Sequence, residues 1–326
     1  MITTICGNYP KIDHLKSRVN LRTAINRLES GKIDHEEYES ILRQTFERTI
    51  NDQLEAGIDI ITDGQITWQD LFSPYCEALD NLAAGGLRRY FDNNVYYRRP
   101  QVTGEIRRIH PIVAESPVYS EMKPATAMTK AVLCGPVTFA LHADDFHYGS
   151  IDSLATAVAE VIREEIVELQ QLGVSYVQLD EPGLPERPEY VDLLARLVPG
   201  MLNGTDIRLG LAFYFSSLKT IASRLGEFPV DFLALDLVSH PDDMESLPTL
   251  DKYELHAGLI DARNIMLEDT DDVASRLTLL RQQVMPKRIV LTTSCGLEFL
   301  PRDYALDKMR HLVQLAAEPQ VGTDEE

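Results

Sequence analysis

Short apolar runs rich in β-branched residues recur along the chain, each followed by a longer stretch whose apolar positions keep helical spacing. The runs cover 2–6, 58–62, 131–134, 176–179, 208–213, 232–236, 254–260 and 289–293. Amphipathic stretches between them, at 35–56, 151–172, 190–202, 269–283 and 302–315, predict helices. Strand–helix alternation predicts a parallel sheet covered by helices. Eight runs are the number that closes a (β/α)8 TIM barrel, so the expected fold class is α/β. An open doubly wound sheet would carry a Gly-rich phosphate turn after an early strand. The first run ends instead in Cys6-Gly7-Asn8-Tyr9-Pro10, which is no such turn.

One segment breaks the alternation. Residues 87–110, LRRYFDNNVYYRRPQVTGEIRRIH, alternate in polarity and are rich in aromatic side chains, with Asp92-Asn93-Asn94 at the expected turn. They predict a β-hairpin inserted after strand 2, either a lid or a decoration. The chain is then expected to be one barrel domain over 1–317 with this insert, followed by an acidic flexible tail at 318–326.

Composition narrows the functional classes. With 44% hydrophobic and 25% charged residues in 326, the chain is neither disordered nor fibrous. A net charge of −20 argues against nucleic-acid binding through bulk charge, and the basic doublets at 88–89 and 107–108 are small. No apolar run approaches the roughly 18 residues that a membrane span needs, and the N-terminus has no signal-peptide pattern. Four scattered cysteines without a CxxC fit a reducing, cytoplasmic setting. Small molecules are the expected partners, with no nucleic acid and no membrane.

In a barrel of this kind the C-terminal strand ends build the active site. They carry Asn8, then Asp63, Gln65 and Trp68, then Asp180 and Glu181, then Asp236 and His240, then His256 and Asp261, and finally Cys295. Several carboxylates facing one mouth call for a cation or a shared proton. Asp180 and Glu181 also suit a glycosidase pair, but neighbours on a strand point to opposite faces. Cys295, between an apolar strand and a Gly, suits a metal ligand, a nucleophile or a packed thiol.

Five motifs at the strand ends occur in family order. TTICGNYPK resembles TT-x-x-GS-[FY]-PR, ITDGQ resembles (L/V)-x-DGE, GPVTF matches GPVT, QLDEPGL resembles Q-(I/L)-DEP-x-L, and SCGLEFLPRD resembles DCGLK-x-R. The chain thus resembles the cobalamin-independent methionine synthase family, in its catalytic C-terminal barrel and its short single-barrel members. The resemblance implies methyl transfer to a thiol acceptor such as homocysteine, from methyltetrahydrofolate or a methyl-corrinoid protein. It implies a zinc ion on the acceptor sulfur, since a metal-bound thiol loses its proton at neutral pH. Of the family's zinc ligands, Cys295 matches the Cys and Asp236 the Glu position, the His-x-Cys pair is absent, and His240 or His256 is left to complete the set.

The family's amino-acid grip, a Glu and an Asp, corresponds here to Gln65 and Asp180, and its Ser in GSFPR to Asn8. Loss at both metal and amino-acid grip suggests a changed acceptor. The expected pocket is Asn8, Asp63, Gln65, Trp68 and Asp180. Two other functions stay open: a zinc-independent methyltransferase or lyase using Asp180, Glu181 and His256 as acid–base groups, and a non-catalytic binding protein. The insert's Tyr90, Phe91, Tyr96, Tyr97, Arg98 and Arg99, with Trp68, suit a flat pterin or a corrinoid protein.

Overall fold

The computed structural model describes residues 1–11, 21–89 and 96–318. Its barrel strands are β1 (Ile2–Thr3), β2 (Ile60–Ile61), β5 (Met128–Cys134), β7 (Tyr176–Asp180), β8 (Arg208–Phe213), β9 (Phe232–Asp236), β10 (Glu254–Ile260) and β11 (Arg288–Thr293). They form one eight-stranded sheet in the order β1-β11-β10-β9-β8-β7-β5-β2, and every pairing is parallel. A parallel bridge between Thr4 and Ile60 joins the two edges, so the sheet closes into the expected barrel.

The outer helices are α1 (Leu21–Glu29), α2 (His35–Ala56), α3 (Ser73–Ala78), α4 (Pro136–His142), α5 (Ile151–Gln171), α6 (Val191–Met201), α7 (Thr270–Leu279) and α8 (Arg302–Ala317). The long ones start where side chains cap them. Asp34 accepts the Glu37 amide at 2.8 Å, and Ser150 accepts that of Ser153 at 3.1 Å. Gly57, at φ 89°, ends α2 in the left-handed conformation that suits glycine.

The hairpin insert pairs β3 (Leu79–Arg89) with β4 (Tyr96–Arg108), and β6 (Asp144–Asp145) adds a short parallel strand to it. It therefore begins at Leu79 rather than 87. The stretch DNLAAGG carries no strand signal of its own, and pairing with β4 imposes the conformation on it. The expected turn at Asp92–Asn94, with Tyr90 and Phe91, and the tail beyond Glu318 lie outside the described residues. Among the described residues, no helix is long and apolar enough to cross a membrane.

Candidate active site

A cavity of about 100 Å³ opens at the C-terminal end of the barrel. Its walls come from the chain after β1 (Cys6, Asn8, Lys11), after β2 (Gln65, Trp68), from the end of β7 (Asp180), after β8 (Tyr214, Phe215), after β11 (Glu298, Phe299), and from Tyr97 of the insert. Four expected pocket residues, Asn8, Gln65, Trp68 and Asp180, thus meet in one place.

Asp180 is held rigidly. Tyr214 donates its hydroxyl to Oδ2 at 2.9 Å, and Gln178 Nε2 donates to Oδ1 at 2.8 Å. Lys130 Nζ in turn donates to Gln178 Oε1 at 2.8 Å and to the Ile5 carbonyl at 2.8 Å. Burial pushes the Asp180 carboxyl up to about 7, against these donors. Burial likewise brings the Lys130 ammonium down to about 8.

Gln65 sits at φ 50°, a left-handed conformation that costs a non-glycine residue strain. Its side chain is fully buried, yet neither Nε2 nor Oε1 has a partner. An unpaired buried amide costs about 1–3 kcal/mol, so such a group at a cavity wall points to a ligand. Gly7 leaves room for it, since a Cβ there would lie 2.9 Å from Gln65 Oε1 and push the amide aside.

Glu298 faces the same cavity. Asn8 Nδ2 donates to its Oε1 at 3.2 Å, while Oε2 is shielded from solvent and unpaired. Gly296 leaves the room, since a Cβ there would lie 2.0 Å from Oε2. Burial pushes the Glu298 carboxyl up to about 7, opposed by nearby Lys11 and reinforced by Asp180. Lys11, brought down to about 8 by burial, donates to the Trp68 carbonyl.

Other expected site residues lie elsewhere. Glu181 is turned away from the cavity, and its oxygens accept the Val137 and Thr138 amides at 3.0 and 2.7 Å at the start of α4. His256 sits low in the barrel, paired with Ala234 and Val290, stacked on Phe232 at 4.3 Å, with Nε2 2.8 Å from Glu254 Oε1. Burial lowers its imidazole to about 4, so it stays neutral there. As the third residue of β10, which runs on to Ile260, it lies well short of the strand end where the sequence placed it. Asp63 accepts the Gln65 amide at 3.0 Å and lines an outer groove with Ser116, not the mouth cavity.

The zinc set does not fit. Asp236 spends Oδ1 on the Val238 and Ser239 amides, both at 3.0 Å, and Oδ2 on the Ser239 hydroxyl at 2.6 Å. His240 Nε2 is tied to the Phe215 carbonyl at 3.0 Å. Burial pushes the Cys295 thiol well up, which keeps it protonated, and its Sγ lies 3.7 Å from the Gly296 carbonyl. Where the family carries His-x-Cys, β8 carries the apolar Leu211 and Phe213. Among the described residues, no three His, Cys, Asp or Glu side chains are grouped to hold a metal.

Lys11, Tyr214 and Glu298 have no assigned role in the sequence reading. Glu298 had a signal there, since it replaces the Lys of the family's DCGLK motif.

A family model described as "Cobalamin-independent synthase, N-terminal domain" matches residues 77–285. A methionine synthase of Sulfolobus acidocaldarius is 27% identical over 312 residues, covering 96% of this chain and 90% of that protein. A B12-independent methionine synthase from Shewanella sp. W3-18-1, solved with selenomethionine, superposes with a TM-score of 0.80 at 21% identity, covering 96% of both chains. A structure described as a putative B12-independent methionine synthase from Listeria monocytogenes gives 0.76 at 18% identity, covering 97% of this chain and 98% of that one. The solved structures share the closed barrel.

Proposed function

Because the chain belongs to the cobalamin-independent synthase family, and is a methyltransferase of the methionine synthase type, we propose that it methylates a small thiol acceptor, homocysteine first, using a protein carboxylate in place of a metal. The observation that carries this is the free, shielded Oε2 of Glu298 facing a cavity shared with Asp180, Lys11 and Gln65. A thiol titrates near 8.5, within reach of a base pushed up to about 7, whereas an alcohol does not.

The three charged side chains complement a zwitterionic thiol. Asp180 attracts the ammonium group, Lys11 the carboxylate, and Glu298 the thiol proton. Gln65 offers the N–H groups of Nε2 and the acceptor Oε1, and orients the methyl acceptor without adding charge. The thiol proton passes to Glu298 Oε2, and the sulfur lone pair forms the bond to the methyl carbon. The donor–methyl bond breaks with its electron pair left on the donor. Selenomethionine in the Shewanella structure supports an amino-acid product of this class. The aromatic rim of Trp68, Tyr97 and Phe215 favours a flat donor such as methyltetrahydrofolate.

The test is methionine formation from homocysteine with methyltetrahydrofolate, and separately with methylcobalamin, in excess EDTA. Methionine formed at an undiminished rate under chelation is expected. No methionine from either donor overturns homocysteine as acceptor. Activity that appears only on adding zinc overturns the carboxylate base.

A further inference from the structure

The opposite end of the barrel holds a second cavity, of about 500 Å³. It is built from the first residues of five strands, Tyr176, Arg208, Phe232, Glu254 and Arg288, together with Lys252 and Lys287 just ahead of β10 and β11. Four cations therefore face one space in a chain of net charge −20.

Two carboxylates also line it, so the cations outnumber the acids by four to two. Glu254 accepts from Arg288, lies 3.8 Å from Arg208, and is 2.8 Å from His256 Nε2. Asp231 Oδ2 accepts the Leu209 amide at 3.0 Å. Among the described residues, no ion pair reaches Lys252 or Lys287.

The guanidiniums converge. Arg208 Nη1 donates to the Tyr176 hydroxyl at 2.6 Å, and Arg288 Nη2 donates to the same oxygen at 3.3 Å. Tyr176 is only 1% exposed, and its own O–H finds no acceptor among the described residues. A buried hydroxyl that accepts twice and has a proton to give, held between two guanidiniums in a cavity also lined by Lys287 and by Lys252, whose Nζ lies 4.9 Å from the Tyr253 ring centre, is one acceptor short. Two guanidiniums and a phenol are the donor set that suits the several oxygens of a doubly charged anion.

We propose that this floor cavity is a binding site for a phosphoryl group, carried by a small phosphorylated molecule. The space exceeds what a lone phosphate fills. The site lies apart from the methyl-transfer cavity, and the inference does not depend on that reaction.

The experiment is calorimetry and thermal denaturation of the full chain with inorganic phosphate and with pyrophosphate, each against sodium chloride of matched ionic strength. One site per chain is expected, saturating with pyrophosphate tighter than phosphate. Phosphate binding as tightly as pyrophosphate points to the free ion rather than a phosphorylated molecule and overturns that part. Lys252→Gln/Lys287→Gln should weaken pyrophosphate by about tenfold or more, and Tyr176→Phe should weaken it while removing only the hydroxyl. Lys32→Gln/Lys219→Gln takes the same charge from other exposed positions and should leave binding unchanged. Stabilisation equalled by chloride, or the same loss in both lysine pairs, overturns the site. A phosphate response untouched by Tyr176→Phe and by Lys252→Gln/Lys287→Gln overturns it as well.

Discussion

At Glu298, one carboxylate oxygen is anchored by Asn8 and the other is free at the cavity wall, so a small change separates its chemistry from its shape. Glu298→Gln keeps the volume and the anchored oxygen but cannot take a proton. It is expected to lower kcat by about 10²–10⁴-fold, the usual contribution of a general base, with KM little changed. The wild-type pH profile adds a sign. Glu298 must be ionised to act, so kcat/KM should rise with pH through about 7. The variant's residual activity should lack that limb. Undiminished turnover in Glu298→Gln would remove it from the role.

Helix α4 shows how an element borrows what its own sequence lacks. Gly135 precedes it without a capping side chain, and Pro136 opens it. The missing cap comes from the next strand, where Glu181 accepts two of the helix's first amides. A carboxylate there also meets the positive end of the helix dipole. Gly135 must stay small, since a Cβ would lie 2.3 Å from Glu181. Glu181→Ala is expected to cost about 1–3 kcal/mol by leaving buried donors unpaired. Gly135→Ala should also destabilise, and the double variant should cost less than the sum, because the alanine at 135 then meets no glutamate. Thermal denaturation of the three variants checks this; strict additivity would show that the two positions do not interact.

On the scale of the whole molecule, the mouth of the barrel holds acids that folding drives toward protonation. Asp180 and Glu298 are both raised to about 7 by burial. A carboxyl whose folded value lies above its unfolded value of roughly 4 stabilises the fold at low pH, and that contribution is lost as pH rises through about 7. The neutral isosteres Asp180→Asn and Glu298→Gln mimic the protonated forms. Their Tm should match wild type near pH 4 and exceed it at pH 8, by about 1.5 °C for each kcal/mol gained. A difference that does not change with pH would mean that the carboxyls are not shifted. The active site thus costs stability, as functional sites commonly do.

The sequence by itself determined the architecture. Short continuous apolar runs and amphipathic helices are local patterns, so the eight strands and the helix at 35–56 are legible from the chain alone. It also determined most of the mouth, because Asn8, Gln65, Trp68 and Asp180 follow strands whose ends are readable. What only the tertiary structure decided is where each side chain points and what it meets. Asp180 and Glu181 are neighbours, yet one lines the cavity and the other caps a helix, because adjacent positions on a strand face opposite ways. His256 belongs to a strand that ends in the mouth, but its depth along that strand buries it near the floor. The floor cations come from segments separated by dozens of residues, and no basic run announces them. Charge clusters of this kind are set by register across the sheet, which is a property of pairing and not of any one segment.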